Sequence, residues 1–217
     1  RHVIAATPAS VTATLVAKID SELAELLHGI NYAAVTVVHM GVDRHSVDHP
    51  LDGTGFLAPG RESTILTGNL WMSSLFPGRA PPGKVLLTSY LGGMRAPQAI
   101  NWSDERVVEQ ALKVLRPLIG LKADPDMVRI DRHREALPVY HGAYQKRLQA
   151  IEGRLQQLPG LHLEANYRGG VSVRDRLARG RDIAKQILGV RQEILPGDTG
   201  MAAGKVGASS DFKGVCG

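Results

Sequence analysis

The sequence predicts a mixed fold, α+β grading into α/β, on three observations. The middle of the chain reads as short strands punctuated by glycine and proline. Amphipathic helical stripes appear after Ser103, and a strand, a glycine turn and a helix follow one another between Leu161 and Leu188. With 217 residues, 43% of them hydrophobic, the chain can bury a sizeable core, so disorder is not its default. Charged residues make up 22% and the net charge is +5, which suits an acidic ligand or an anionic membrane surface. The single cysteine, Cys216, excludes an internal disulfide framework and a cysteine-built metal cage. A reducing, cytoplasmic setting of bacterial type is therefore expected. No apolar run reaches the roughly 20 residues of a spanning helix, so any membrane contact is expected to be peripheral.

His2 to Thr7 is a short apolar run that reads as a buried strand ended by Pro8. Ser10 with Val11, Leu15, Val16 and Ile19, then Leu23, Leu26 and Leu27, suggests one or two short helices. Residues 33–42 read as a strand, and shorter strands are expected around Gly55 to Ala58, Thr64 to Thr67 and Val85 to Leu91. Ser103 is a suitable N-cap, Asp104 and Glu105 suit a helix N-terminus, and Val107, Val108, Ala111, Leu112 and Leu115 form the stripe of a helix expected to stop near Pro117. Met127 to Ile130 reads as a strand. Leu148, Ile151, Leu155 and Leu158 mark another amphipathic helix, closed by Pro159-Gly160. Leu161 to Ala165 then reads as a strand, Asn166 to Gly170 as a turn and Arg174 to Leu188 as a helix. Residues 189–217, rich in Gly, Ala and Ser, read as a flexible tail.

The segment from Leu161 to Gly180 carries the chemistry. Backbone N–H groups at a helix N-terminus lack intrahelical acceptors and sit at the positive end of the helix dipole, and glycines let an electron-rich ligand approach closely. Taken alone, a Gly-Gly before a helix also fits ordinary turn chemistry.

Separated motifs narrow the choice. His49 to Pro59 with its Gly55-Phe56-Leu57-Ala58-Pro59, Leu70 to Pro81 with its Ser73-Ser74-Leu75-Phe76-Pro77-Gly78-Arg79-Ala80-Pro81, Leu87 to Arg95, Ala136-Leu137-Pro138-Val139-Tyr140 and the turn from Asn166 to Val173 resemble, in order and spacing, segments of the protoporphyrinogen oxidases. The resemblance covers about residues 1–188. It implies a substrate-domain mixed sheet with helices plus the C-terminal strand-turn-helix of a Rossmann-like FAD domain. On that basis residues 1–30 return toward the FAD domain, 31–158 form the substrate-binding part with connecting helices, and 159–188 contact FAD.

By the same resemblance Asn166, Gly169, Gly170, Val171, Ser172, Val173 and His133 are cofactor-binding positions, and Leu57, Leu70 and Tyr90 sandwich a porphyrinogen. Glu164-Ala165 stands where the family has Ala-Gly, and His133 where it often has Trp. The implied reaction is oxidation of protoporphyrinogen IX through FAD, with molecular oxygen as the final acceptor. The glycine fingerprint G-x-G-x-x-G is not in this sequence, so an N-terminal half or a complementary chain is expected to complete the cradle. No general base stands out.

Other readings stay in view: a coproporphyrinogen III oxidase or another FAD-dependent amine-oxidase-type oxidase or desaturase, an inactive fragment, or a basic nucleic-acid-binding module built on Arg174, Arg176, Arg179 and Arg181. Those arginines wrap around more than one helix face without interleaved aromatics, which fits a solvated face or ion pairs with Asp175 and Asp182, so no nucleic acid is expected. His39, His45 and His49 lie around a loop without a completing ligand set, so no metal is expected either.

Overall fold

The computed structural model describes residues 1–62 and 64–189. Backbone clustering separates Arg1–Gly180 from Arg181–Gly217. In the second unit Arg181 pairs with the adjacent Asp182, as expected, and the predicted flexible tail lies, from residue 190 onward, outside the described residues.

The first unit contains two sheets. Strands β1 (Val3–Ala5) and β7 (Leu161–Leu163) pair in parallel. The second is antiparallel, with β2 (Tyr32–Asp43), β3 (Gly55–Leu57), β4 (Leu66–Trp71), β5 (Lys84–Gly92) and β6 (Met127–Pro138) in the order β3-β4-β5-β2-β6. The helices are α1 (Ala9–Val16), α2 (Ser21–His28), the short α3 (Met72–Leu75), α4 (Asp104–Ile119), α5 (Tyr144–Leu155) and α6 (Val173–Leu188).

Successive strand residues point to opposite faces, which gives the antiparallel sheet two chemistries. Val38, Met40, Val42, Leu87 and Leu91 face a core closed by Val107, Ala111, Leu115 and Ile119 of α4. The N-cap of α4 is Ser103, whose Oγ accepts from Arg106 N at 3.3 Å. A second core gathers Ala13, Leu23, Leu27, Ile151, Leu163 and Tyr167 from α1, α2, α5, β7 and the turn after β7. Asp20 caps α2 through Leu23 N at 2.9 Å and also accepts from Arg154 of α5, tying the two helices together.

Several expectations need correction. The large apolar side chains read as the buried stripe of the first helix point outward: Val11, Leu15 and Ile19 are exposed, whereas Ala9, Thr12, Ala13 and Val16 are buried. α1 packs through its small residues because they allow the close approach to α2 that bulkier ones forbid. β1 is also largely exposed, because only one of its edges is paired. β4 runs to Trp71 rather than ending at Thr67, since Leu70 and Trp71 pair with Thr88 and Leu87. β6 continues eight residues past Ile130, and its charged residues disguised it. As an edge strand it pairs only with β2 and leaves most of its side chains in solvent. The helix α4 passes through Pro117 and ends at Gly120, because buried Ile119 holds the last turn in place.

Gly120 adopts φ +62°, and a Cβ there would lie 2.7 Å from Asp48 Cβ. Gly120→Ala is expected to destabilise the protein by about 1–2 kcal/mol, from the left-handed backbone alone. Urea unfolding measures this, and an unchanged midpoint contradicts the assigned stop.

Candidate functional site

Several residues from Glu164 to Ser172 are fixed from behind. Glu164 N extends the parallel pairing by donating to Ala5 O at 2.9 Å, and the side chain is only 8% exposed because Arg179 grips it at 3.1 and 2.5 Å. Ala165, standing where the family has glycine, is 5% exposed, so its methyl group is absorbed by the second core. Tyr167 is fully buried, and its carbonyl accepts from Tyr144 Oη at 2.5 Å. Burial pushes the Tyr144 phenol up, which keeps it a neutral donor. Arg168 donates to Leu163 O at 2.9 Å and pairs with Glu152.

The turn itself requires glycine. Gly169 and Gly170 have φ of +71° and +103°, and a Cβ on Gly170 would stand 2.3 Å from Asp175 Oδ2. Ser172 and Asp175 cap α6 reciprocally: Ser172 N donates to Asp175 Oδ2 at 3.2 Å and Asp175 N to Ser172 Oγ at 3.1 Å. The Ser172 hydroxyl, then its N–H, hold the Asp175 carboxyl below the usual carboxylate range. Among the described residues nothing accepts from the N–H groups of Val173 and Arg174, and the side chains of Val171 and Val173 are exposed. The result is a ledge of backbone donors and apolar side chains with no methyl group in the way. Such a ledge fits the carbonyl edge of a flavin ring.

Tyr32 links this ledge to the antiparallel sheet. Its hydroxyl accepts from Ala9 N at 3.1 Å and donates to Asn166 Oδ1 at 3.2 Å, while Asn166 Nδ2 donates to Ala136 O of β6 at 3.5 Å. Asn166 therefore faces inward, toward the protein. The sequence offered no sign of Tyr32, which lies 134 residues from Asn166 in the chain. The arginines of α6 also depart from expectation. Arg176 and Arg179 turn inward, onto Ala165 O and Glu164, because the buried turn needs donors.

Strand register brings Leu57, Leu70 and Tyr90 to one face, opposite the α4 core. Leu57, Gly68, Tyr90, Val37 and Asp131 form a row across five strands, and Gly55, Leu70, Thr88, His39 and Arg129 form the next. The Leu57 side chain folds over Gly68, where a Cβ would stand 2.7 Å from Phe56 O and 2.8 Å from Leu57 Cδ2. Leu57 is exposed, while Leu70 and Tyr90 are half-buried. Once the strands are placed, simple alternation identifies Gly68 and Val37, which the motifs missed. His133 lies exposed on β6 opposite Val35, three residues before Ala136, and among the described residues it makes no hydrogen bond to the turn.

The three histidines read as a loop group are separated. His39 is on β2, with Nδ1 2.9 Å from Thr88 Oγ1 and Nε2 3.4 Å from Asp131, whereas His49 accepts from Leu51 N and packs on Trp71. A cavity of about 980 Å³ lies between Leu57 and α4, lined also by Phe56, Ile65, Arg95 and Val114, but includes neither Leu70 nor Tyr90.

Comparison with known proteins shows the family and the fold. The sequence pattern of the flavin containing amine oxidoreductases matches residues 1–188. The mitochondrial protoporphyrinogen oxidase of Nicotiana tabacum is 31% identical over 168 residues, covering 76% of this chain and 33% of that one. The coproporphyrinogen III oxidase of Bacillus subtilis is 27% identical over 164 residues, covering 74% and 35%. The chain thus spans about a third of the length of these relatives. A solved structure from Exiguobacterium sp. 255-15, assigned to the protoporphyrinogen oxidases, has the same fold, with a TM-score of 0.71 at 24% identity over 86% of this chain and 40% of that one.

Tyr32→Phe removes both hydroxyl contacts and is expected to cost about 1–3 kcal/mol, from two hydrogen bonds at roughly 0.5–1.5 kcal/mol each. Amide hydrogen exchange should quicken between Asn166 and Gly170 while the α4 core stays protected. Equal exchange in wild type and variant would show that the bridge does not hold the turn.

Proposed function

This chain belongs to the flavin containing amine oxidoreductase family, and from that membership we propose that it forms the substrate-covering and flavin-edge part of an oxygen-dependent porphyrinogen oxidase, with protoporphyrinogen IX as substrate. The observation that carries the reading is the placement of Leu57, Leu70 and Tyr90 on one sheet face that Tyr32 ties to the glycine turn.

The residues suit that work. A porphyrinogen is a large apolar ring, so most of its binding free energy comes from covering apolar surface, which two leucines and a tyrosine provide. The backbone from Gly169 to Arg174 would hold FAD by its ring, and His133, on the strand leading to Ala136, lies along the approach to the turn. When bound, a flavin would supply the two-electron acceptor that molecular oxygen restores, giving hydrogen peroxide. Adenine, ribose and pyrophosphate contacts are assigned to a Rossmann-like segment bearing the glycine fingerprint, in the same polypeptide or on a second chain. No helix among the described residues is long and apolar enough to cross a membrane. A peripheral setting is part of the proposal, and nucleic acid is not. Coproporphyrinogen III is the second reading, favoured by the Bacillus subtilis relative.

The flavin-loaded protein is expected to turn protoporphyrinogen IX into fluorescent porphyrin faster than coproporphyrinogen III. Tyr90→Ala should raise KM about tenfold, in line with the roughly 1–3 kcal/mol of a buried aromatic contact, while flavin content stays unchanged. An unaltered KM and unaltered porphyrin affinity would remove Tyr90 from the site. The chain alone is expected to bind FAD weakly and to oxidise no porphyrinogen; a tight one-to-one complex that makes peroxide would overturn that division of labour.

A further inference from the structure

Among the arginines around the glycine turn, Arg176 has a different electrostatic setting. Arg168 is paired with Glu152, and Arg179 with Glu164. The half-buried Arg176 donates from Nη1 to Ala165 O at 2.6 Å and from Nη2 to Arg168 O, and its Nε is buried with no partner among the described residues. No carboxylate pairs with it among those residues. Carbonyl dipoles orient a guanidinium but leave its net charge in place.

The position of that charge matters. Nη2 stands 3.5 Å from where a Cβ of Gly169 would be, as close as Nε of Arg179, whose charge Glu164 matches, so the cation without a carboxylate partner lies against the glycine backbone of the turn. The N-terminus of α6 adds partial positive charge from the same direction. Asp175, the capping carboxylate, lies behind Gly170, and both Arg176 and Arg174 act on it electrostatically.

Resting on the flavin reading above, we infer that Arg176 is a positioning residue that sets the reduction potential at this site by favouring the reduced flavin over the oxidised one. A hydride carries two electrons and one proton. Were a flavin bound here, hydride transfer from a substrate C–H bond to the neutral ring would leave it with one net negative charge. A cation held at fixed distance in partly water-excluded surroundings stabilises that charge selectively and needs no reorganisation to do so. Arg176 reaches it through the turn, with the missing glycine Cβ keeping the separation short.

The test uses the flavin-loaded protein and compares Arg176→Gln, Arg176→Met and Arg176→Lys by midpoint potential in a reductive titration, with oxidised-flavin affinity measured separately. Gln keeps an amide donor for the carbonyls and Lys keeps the charge, so Gln and Lys separate bracing from electrostatics even if Met unfolds. Gln and Met are expected to lower the preference for reduced over oxidised flavin about tenfold, which moves a two-electron potential about 30 mV more negative, while Lys stays near wild type. A residue that only braces the turn would weaken both redox forms equally and leave the potential where it was, and that result overturns the inference. A wild-type protein that takes up no flavin even when completed by the Rossmann-like segment would overturn the flavin reading and this inference together.

Discussion

The hydroxyl of Tyr32 is the point at which the two halves of the first unit are held in register. On one side is the antiparallel sheet, to which Tyr32 contributes the first residue of β2. On the other are α1, whose Ala9 N–H it satisfies, and the turn, whose Asn166 it fixes. A phenol hydroxyl can donate once and accept from more than one direction, so one side chain serves elements that share no ladder hydrogen bonds. Burial raises the Tyr32 pKa, which keeps the proton needed for the Asn166 bond in place. Together with the Asn166 amide on Ala136 O and Ser10 on Glu135, this contact ties the donor ledge to the antiparallel sheet.

The sheet depends on a second constraint, register. Shifting a strand by one residue would send Leu70 into the α4 core and Asn69 outward. The core side resists this because Asn69 Nδ2 donates to Ser89 Oγ at 2.9 Å within fully buried surroundings, an interaction with no substitute in an alternative pairing. The polar pair on the core face therefore fixes which side chains reach the open face, and so decides that Leu57, Leu70 and Tyr90 meet there.

Around the turn, charge serves first as mechanical support. Glu164 and Glu152 are matched by Arg179 and Arg168, and the carbonyls of Leu163 and Ala165, which lead into the turn, accept from Arg168 and Arg176. These contacts explain why a helix reading as basic and solvated holds two of its arginines inward. The donors left over, at the start of α6, face away from this scaffold and give the turn its capacity to receive an electron-rich group.

Local physical chemistry made much of this legible in advance. The Ser103 cap, the α4 and α5 stripes, the β2 run and the strand, glycine turn and helix at Leu161 to Leu188 follow from hydrogen-bonding capacity, periodicity and glycine's φ freedom, all of which act within a few residues. The family likeness, carried by several motifs in order, was equally present in the sequence. Only the tertiary structure decided that α1 buries Ala13 and exposes Leu15, that β6 extends past its charges to Pro138, that Gly68 stands beside Tyr90, and that Tyr32 meets Asn166. In each of these cases the deciding partner lies on another element, and no local pattern encodes which group elsewhere in the fold will satisfy a hydroxyl or how closely two helices pack.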